Sequence, residues 1–205
     1  MRMESEMRKV IVTEWMSLDG VVQSPAYADE DRSGGFRHGG WHPRYFESVS
    51  MNWVLENVTG AGGFLLGRRT YEVFAAHWPT AGKEEQALAQ PMNNLPKYVA
   101  SRTLREPLAW QSSRLLEGDV AEAVNALKRE AGRDLLLIGS TVLAQTLIER
   151  DLVDELRLMI DPVVLGGGKR IFRDDGALER WRLVHSQATT TGAILATYAA
   201  AEDRT

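Results

Sequence analysis

Two apolar segments that run directly into small-residue turns constrain the fold of this chain more than any other feature. Residues 135–138 are wholly aliphatic and precede Gly139-Ser140-Thr141, and residues 64–66 precede Gly67-Arg68-Arg69-Thr70. Apolar runs without alternation are typical of strands in parallel sheets that are covered on both faces. Since a helical segment follows each turn, the repeated strand–turn–helix unit predicts an α/β fold.

The remaining segments extend this unit into a mixed, mostly parallel sheet flanked by helices on both faces. Further strands are predicted over 10–16, 97–100, 108–111 and 154–160, and helices over 45–57, 68–76, 83–90, 119–131 and 141–149. Pro91 is expected to end the third helix. The fourth helix has the clearest limits, because Asp119 is a favourable N-cap and Gly132 suits a helix end. Residues 181–189 and 193–200, separated by a short turn, predict a C-terminal β-hairpin.

Composition and charge limit the kind of partner. The chain has 205 residues, a formal net charge of −4 and no cysteine. Dispersed Lys and Arg in an acidic chain argue against nucleic acid as the main partner, and the absence of cysteine excludes disulfides and zinc–thiolate sites. No apolar run reaches the roughly 20 residues of a membrane span. We expect a single cytoplasmic domain over 8–201, a disordered extension at 1–7 and a short tail at 202–205.

The segment 17–43 is rich in Gly, Asp, Ser, Pro and His and is predicted to be one long loop. A loop of this length inside a compact domain is usually functional, as a lid or as the wall of a site. Trp41 lies in the glycine-rich part of this loop, and among the tryptophans it is the one that we expect near a site.

The two turns have a composition that suits phosphate binding. A strand-to-helix turn exposes unpaired backbone N–H groups at the positive end of a helix dipole, and the hydroxyls of Ser140 and Thr141 add donors. Arg68 and Arg69 begin the other helix, where a cation is unfavourable unless a bound anion offsets it. The alternative is that both turns are ordinary connections and that both arginines are solvated; the residues alone leave this open.

Other motifs that identify active sites are missing from the sequence. Neither turn matches the G-x-G-x-x-G dinucleotide fingerprint, and Gly166-Gly167-Gly168-Lys169 does not match a P-loop. This glycine run is either a plain turn between strands or one wall of a ligand site. The four histidines, His42 among them, have no metal-ligand spacing, so no metal site is predicted. No G-x-S-x-G elbow of a serine hydrolase is present.

Taken in order, these segments resemble the dihydrofolate reductase-like superfamily, and within it the C-terminal reductase domain of the riboflavin-biosynthesis deaminase-reductase. The resemblance runs from about Arg8 to Ala200. It depends on six motifs, at 17–20 (SLDG), 66–72 (LGRRTYE), 97–102 (KYVASR), 137–140 (LIGS), 154–158 (DELRL) and 162–168 (PVVLGGG). Each motif is weak alone, and their order makes the resemblance specific.

The resemblance implies NADPH as the cofactor. In that superfamily a Gly-Arg-x-Thr turn contacts the pyrophosphate, which implies this role for Gly67 to Thr70, and a Gly-Ser turn holds phosphate, here Gly139 to Thr141. Ser101 and Arg102 are placed by the same resemblance near the adenosine ribose and its 2′-phosphate. The substrate would lie against Gly166 to Gly168, and a homodimer is implied by analogy.

The resemblance does not fix the proton donor. True dihydrofolate reductases use a carboxylate near the start of the first long helix, where the candidates here are Glu47 and, from the early loop, Asp19, with Trp41 as a further site residue. Asp19 also suits a plain turn and Glu47 a solvated helix position. The sequence therefore predicts an NADPH-dependent reductase of a small pterin- or pyrimidine-like heterocycle or carbonyl compound. The alternatives are an NADP-binding sensor or assembly module without turnover, and a fold relative that has lost the cofactor.

Overall fold

The computed structural model describes residues 7–201, as eight strands and five α-helices. The strands are β1 (Val10–Ser17), β2 (Gly63–Gly67), β3 (Lys97–Ala100), β4 (Ser113–Leu115), β5 (Leu135–Ile138), β6 (Glu155–Asp161), β7 (Trp181–Ala188) and β8 (Ile194–Ala200). The helices are α1 (Ser48–Gly60), α2 (Arg68–His77), α3 (Gln86–Asn94), α4 (Val120–Arg129) and α5 (Thr141–Glu149). Apart from Met7, the predicted extension at 1–7 and the tail at 202–205 lie outside the described residues.

The strands form one sheet in the order β4-β3-β2-β5-β1-β6-β8-β7. The six strands from β4 to β6 are parallel to one another, and β8 and β7 add an antiparallel hairpin at one edge. This arrangement confirms the predicted mixed, mostly parallel sheet with a C-terminal hairpin. Its central strands are continuous apolar runs because both of their faces are covered.

The helices divide between the two faces of the sheet. Helices α4 and α5 contribute Val124, Leu127, Leu143 and Leu147 to a core on one face. Helices α1, α2 and α3 cover the other face, where Val58, Tyr71 and Met92 pack against β2, β3 and β5. On that second face, Val49 and Trp53 of α1 pack with Phe46 against a smaller cluster around Met159 and Leu195. Phe46, Val49 and Trp53 are spaced as expected for one helical face, although α1 begins only at Ser48.

The expected end of the third helix at Pro91 is wrong. Residues 83–85 form a separate 3-10 turn, and α3 then contains Pro91 in its interior. The proline ring removes one intrahelical hydrogen bond, but the following residue, Met92, is buried in the core with 1% of its surface exposed. The ammonium of Lys97 also donates to the carbonyls of Met92 and Asn93 and stabilises the helix end.

The predicted strand at 108–111 is also wrong, and the edge strand is β4 instead. Trp110 is buried, but its backbone N–H donates to the Tyr71 hydroxyl at 3.1 Å and its indole N–H donates to Asn93 at 2.7 Å. The apolar character of this segment therefore reflects one anchored side chain and not pairing with a neighbouring strand.

The carboxyl ends of the parallel strands meet at one edge of the sheet. The register pairs Gly67 of β2 with Ala100 of β3, and Ser17 of β1 with Asp161 of β6. Ile138, at the end of β5, lies beside β1. In open α/β sheets, ligands bind outside the carboxyl ends of the strands. The turns that contain the predicted cofactor and substrate-wall residues all follow these strand ends and therefore share this edge.

Candidate functional site

Two side-chain hydrogen bonds join the turn after β2 to the turn after β5. The backbone N–H of Gly67 donates to Oγ of Ser140 at 2.8 Å, and the backbone N–H of Ser140 donates to Oγ1 of Thr70 at 3.1 Å. The Ser140 hydroxyl in turn donates to the carbonyl of Ile138 at 3.2 Å. The two predicted phosphate turns, about seventy residues apart in sequence, thus form one unit. Two of the amides in that unit are already used within the protein.

The close approach of the two turns depends on backbone conformations that most residues avoid. Gly139 has a φ of +56°, and a Cβ added there would lie 3.5 Å from Oγ1 of Thr70. Ser140 is left-handed as well, with φ of 59° and ψ of 43°. Left-handed conformations of residues other than glycine are uncommon and cluster at functional sites. Here the conformation points the Ser140 side chain at Gly67 and not at its own helix.

Neither helix that begins at these turns has a side-chain cap. Gly67 occupies the N-cap position of α2 without a side chain, and Ser140 at the N-cap of α5 makes no capping hydrogen bond. The first N–H groups of a helix lack intrahelical partners and lie at the positive end of the helix dipole. In α5 the Leu143 N–H already donates to the carbonyl of Ser140, which leaves those of Thr141 and Val142. Backbone donors arranged in this way are suited to an anion such as a phosphate.

The two arginines of the first turn have different partners. Arg68 donates to both carboxylate oxygens of Glu72, one helical turn along the surface. Arg69 instead reaches the long loop, where it donates to Asp31 at 3.2 Å. Lys169, which follows the glycine run, also donates to Asp31 at 2.5 Å. Although partial burial opposes the shift, hydrogen bonds from Lys169 and Ser33 lower the pKa of Asp31 to about 2. The loop is therefore held across the site by one carboxylate between two cations.

Ser101 and Arg102 follow β3 at the same edge. The Ser101 hydroxyl accepts hydrogen bonds from the backbone N–H groups of Thr103 and Leu104, which fixes the turn. Arg102 is exposed, and no hydrogen bond or ion pair to its guanidinium is formed by any residue in the range 7–201. A guanidinium in this state remains available for a phosphate.

The glycine run after β6 is held by Asp19. The carboxylate of Asp19 accepts from the backbone N–H groups of Leu165 at 3.1 Å and Gly166 at 2.9 Å, and from the hydroxyl of Ser17. Burial acts to raise the pKa of Asp19, but these hydrogen bonds outweigh it and lower the pKa. Gly168 has a φ of +124°, and a Cβ there would lie 2.8 Å from Val21. The turn therefore packs tightly against the start of the long loop.

The other two candidates for proton chemistry also have structural partners. Glu47 precedes α1 and accepts hydrogen bonds from both the backbone N–H and the hydroxyl of Thr190, in the turn between β7 and β8. Trp41 is buried, and its indole N–H donates to the carbonyl of Gln23 at 2.9 Å inside the long loop. Their catalytic roles, and that of Asp19, stay predictions.

A buried histidine–aspartate pair at this edge was not expected from the sequence. Nδ1 of His42 lies 2.8 Å from Oδ2 of Asp161, and the two residues are 2% and 0% exposed. The His42 ring stacks on Trp15 with 3.9 Å between the ring centroids. Burial raises the pKa of Asp161, and the hydrogen bond to His42 opposes that shift. The only sequence signal was that Asp161 ends a strand, since the two residues lie 119 positions apart.

Glu14, on the central strand, is a second buried titratable group that sequence reasoning missed. It lies on the opposite face from Trp15, since neighbouring residues of a strand alternate, and its Oε1 has no hydrogen-bond partner among the residues described. Burial, together with the charge of Glu30, raises the pKa of Glu14 to about 8. It is therefore mainly protonated at neutral pH.

Within residues 7–201, no group of three or more His, Cys, Asp or Glu side chains is arranged to hold a metal ion. No helix in the same range combines the length and the apolar character that spanning a membrane requires.

The family relationship follows from the whole chain and not from one motif. Residues 8–195 match the model of the RibD C-terminal domain. The chain belongs to this family. Among curated proteins, it is 32% identical over 136 residues to the uncharacterized protein YyaP of Bacillus subtilis, an alignment that covers 65% of this chain and 71% of that protein. The family confirms the resemblance to a riboflavin-pathway-like reductase domain.

Solved structures show the same fold at low sequence identity. A putative riboflavin biosynthesis protein from Shewanella sp. PV-4 is 19% identical with a TM-score of 0.67, over 95% of this chain and 99% of that one. A pyrimidine reductase-like protein from Corynebacterium diphtheriae is 12% identical with a TM-score of 0.66, over 96% and 93%. RibD of Acinetobacter baumannii is 16% identical with a TM-score of 0.64, and the present chain spans 60% of its length.

Proposed function

We propose that this protein is an NADPH-dependent reductase of a small pterin-like or pyrimidine-like heterocycle or carbonyl compound. The observation that carries the proposal is the unit formed by two uncapped helix N-termini, joined through Gly67, Thr70 and Ser140 at the carboxyl edge of the sheet. Membership of the RibD C-terminal domain family supports a reductase. The names of the structural neighbours, which refer to riboflavin biosynthesis and to a pyrimidine reductase-like protein, support the substrate class.

The residues at this edge fit a dinucleotide phosphate. The unpaired first-turn N–H groups of α2 and α5 would hold the pyrophosphate, and the unpartnered guanidinium of Arg102 would hold the 2′-phosphate that distinguishes NADPH from NADH. When bound, NADPH supplies a hydride. The protein contributes orientation and the exclusion of water, for which the long loop is suited because Asp31 holds it across the site.

The substrate would lie between that loop and the glycine run at Gly166 to Gly168. This wall is rigid, because Asp19 accepts from two of its backbone N–H groups and Gly168 packs against Val21. A flat heterocycle suits such a wall, since glycine lets a ring approach the backbone closely.

Titration with NADPH, followed by its fluorescence, tests the cofactor directly. We expect a saturable change at micromolar concentrations, and oxidation of NADPH in the presence of at least one member of a panel of pterins, pyrimidines and quinones. The absence of any saturable change up to millimolar NADPH would contradict the proposal. Asp119→Ala, at the far helix α4, is a control that leaves NADPH affinity unchanged.

A second candidate is an NADP-binding sensor or assembly module without turnover. The observation in its favour is that both carboxylate candidates for proton donation, Asp19 and Glu47, are held by structural hydrogen bonds. Saturable NADPH binding without turnover across the whole panel would support this candidate over the reductase.

We also propose that the protein forms a homodimer through the outer hairpin. β7 is the last strand of the sheet, and it exposes Leu183 and Val184 to 51% and 52%. Exposed edge strands with apolar side chains are typical of association surfaces. Light scattering should give a dimer mass, and Leu183→Lys should shift it to a monomer; a monomeric wild type would contradict the proposal.

A further inference from the structure

The buried pair of His42 and Asp161 is incomplete as a hydrogen-bonded unit. Nδ1 of His42 and Oδ2 of Asp161 satisfy each other at 2.8 Å. Nε2 of His42 and Oδ1 of Asp161 are fully buried, and no residue in the described range 7–201 donates to or accepts from them. Buried polar atoms are nearly always paired in folded proteins. One such atom on each partner of the pair is where another molecule would complete the bonding, and since both atoms are closed off from solvent, the packing over them must open to admit it.

Aromatic rings fix the orientation of the histidine. The ring of Trp15 stacks on His42 with an interplanar angle of 15°, and Phe46 contacts it edge-on with 5.3 Å between centroids. Together with the bond to Asp161, these contacts leave the imidazole little rotational freedom. Its unpartnered Nε2 therefore has a defined direction, as a donor that acts on a bound molecule requires.

The pair lies on the substrate side of the proposed reductase site. Asp161 is the last residue of β6 and pairs in register with Ser17, at the carboxyl end of β1. Trp15 and Ser17 lie on the same face of β1, and this is the face that α1 and α2 cover. The Gly67 to Thr70 turn begins α2 on that side. The pair is therefore one strand beyond β1, on the opposite side from β5 and the Gly139 turn.

We propose that His42 is the proton donor of the reductase reaction and that Asp161 is the residue that positions it. This inference rests on the proposed function. The reaction needs a proton donor, and Asp19 and Glu47 are poor candidates because both carboxylates are held by structural hydrogen bonds. The His42–Asp161 pair can take this role.

An electrophilic carbon of a C=N or C=O group in the substrate accepts a hydride, with its electron pair, from the reduced dinucleotide, which becomes oxidised. The π electrons of that bond move to the nitrogen or oxygen, which takes the proton from Nε2 of the protonated His42. The neutral imidazole then regains a proton from water. The substrate class is therefore a small imine-containing heterocycle or carbonyl compound whose heteroatom reaches Nε2.

Two acidic groups lie near the histidine. Asp161 accepts from Nδ1 on the β6 side, and the charge of Glu30, on the long loop, interacts with that of His42. Because only the protonated ring can donate, we expect kcat to fall on the alkaline side of the pH profile.

His42→Asn tests the proposal by kinetics. We expect kcat to fall by about 100-fold or more, the usual contribution of a positioned general acid, with the alkaline limb of the profile lost and NADPH affinity unchanged within about twofold. Asp161→Asn should lower kcat, shift the same limb and leave NADPH affinity unchanged. The matched control is His77→Asn, because His77 also pairs with a carboxylate, Glu85 at 2.9 Å, outside the site. A His42→Asn enzyme with wild-type kcat and an unchanged limb would overturn the inference.

A second measurement does not depend on turnover or on the folding of a variant. In wild-type protein labelled with ¹⁵N-histidine, the Nε2 resonance of His42 should shift when a panel compound is added with NADP⁺, and the resonances of His38, His77 and His185 should not. An unchanged Nε2 resonance with every compound that raises the melting temperature would overturn the inference alone. A wild-type protein that does not bind NADPH would overturn the proposed function, and this inference with it.

Discussion

Helices α4 and α5 both begin on the same face of the sheet, but their first turns are satisfied in different ways. The carboxylate of Asp119 accepts from the backbone N–H groups of Ala121 and Glu122, so α4 has a side-chain cap of its own. Ser140 stands at the same position of α5 and turns its hydroxyl away to Gly67. Serine caps a helix about as well as aspartate, but Ser140 joins two turns instead.

The difference separates a part of the molecule that supports the fold from a part that is prepared for a ligand. At α4 the cap residue satisfies two amides of its own first turn. At the carboxyl edge, the helices α2 and α5 begin without such a cap. Nε2 of His42 and Oδ1 of Asp161 also have no partner among the described residues. A buried polar group without a partner costs stability, so an unsatisfied pair beside two uncapped helices indicates a function.

The largest expected effect is on the pH dependence of stability, and it depends on Glu14. Its pKa is raised from 4.5 to about 8 in the folded protein, so the folded state binds more protons than the unfolded state between these values. The stability contribution of Glu14 is therefore undiminished below pH 4.5 and falls as the pH rises to about 8, by up to about 1.4 kcal/mol per pH unit. Glu14→Gln should remove this dependence.

Urea unfolding of both proteins at several pH values measures the difference. We expect Glu14→Gln to be the more stable protein above pH 8, and the gap to close toward pH 4.5. Two parallel curves would show that Glu14 has a partner that satisfies its charge.

Ser140→Ala tests the bond that joins the two turns. It leaves the partly buried amide of Gly67 without an acceptor, so we expect NADPH to bind roughly tenfold more weakly, equivalent to about 1.4 kcal/mol. Isothermal titration measures the affinity. Thr146→Ala is the matched control, because Thr146 donates to Val142 within α5 and touches neither turn. Equal losses in the two variants would argue against a special role for the junction.

Arg102→Ala tests whether an unpartnered cation at this edge reads the 2′-phosphate. We expect NADPH affinity to fall by about tenfold, since a charge-assisted hydrogen bond to phosphate is lost, while NADH affinity stays unchanged. Arg129→Ala, at the exposed end of α4, should alter neither. Equal weakening of NADPH and NADH would show that Arg102 does not distinguish the two.

Asp119→Ala tests the other side of the comparison. The loss of a helix cap should lower the free energy of unfolding by about 1 kcal/mol, without any change in NADPH affinity. Asp119→Asn should recover most of the stability, since asparagine also caps. A measurable loss of affinity would mean that α4 and the site are coupled after all.

Asp31→Asn gives the smallest expected effect. Arg69 and Lys169 would lose their shared carboxylate, so that their positive charges would attract the phosphates of NADPH more strongly. Since partly exposed ion pairs contribute little, NADPH should bind only about two- to threefold more tightly at low salt. Asp29→Asn, exposed on the same loop, is the control. Weaker NADPH binding in Asp31→Asn would show that the loop must be held across the site for binding.

The sequence was sufficient for those parts of the fold in which local chemistry decides the structure. The strands β2 and β5 followed from continuous apolar runs, and α4 followed from its cap and its apolar face. β4 could not be predicted in this way, because it is a three-residue edge strand of polar character. The nearby segment 108–111, which contains Trp110, has the composition of a strand instead. The prediction that Pro91 ends a helix was wrong because the burial of Met92 outweighs the local preference of proline.

The candidate site divides in the same way. The two turns were visible because each is a contiguous motif, but the bond between Gly67 and Ser140 was not, because nothing in either motif specifies the other. The pair of His42 and Asp161 joins a loop to a strand end more than a hundred residues away, and only the topology brings them together. In the sequence, Glu14 is one residue of an apolar strand, and its lack of a partner is a property of the packed core.

The long loop contains its own framework of hydrogen bonds. The Gln23 amide donates to the carbonyls of Asp31 and Ser33, the indole of Trp41 donates back to Gln23, and the Ser24 hydroxyl donates to Tyr27. The same segment is tied to the glycine run, because Val22 donates to the carbonyl of Lys169 and the Gln23 side chain accepts from the Lys169 N–H. Its inner amides should therefore exchange with deuterium together, at the rate at which this whole framework opens.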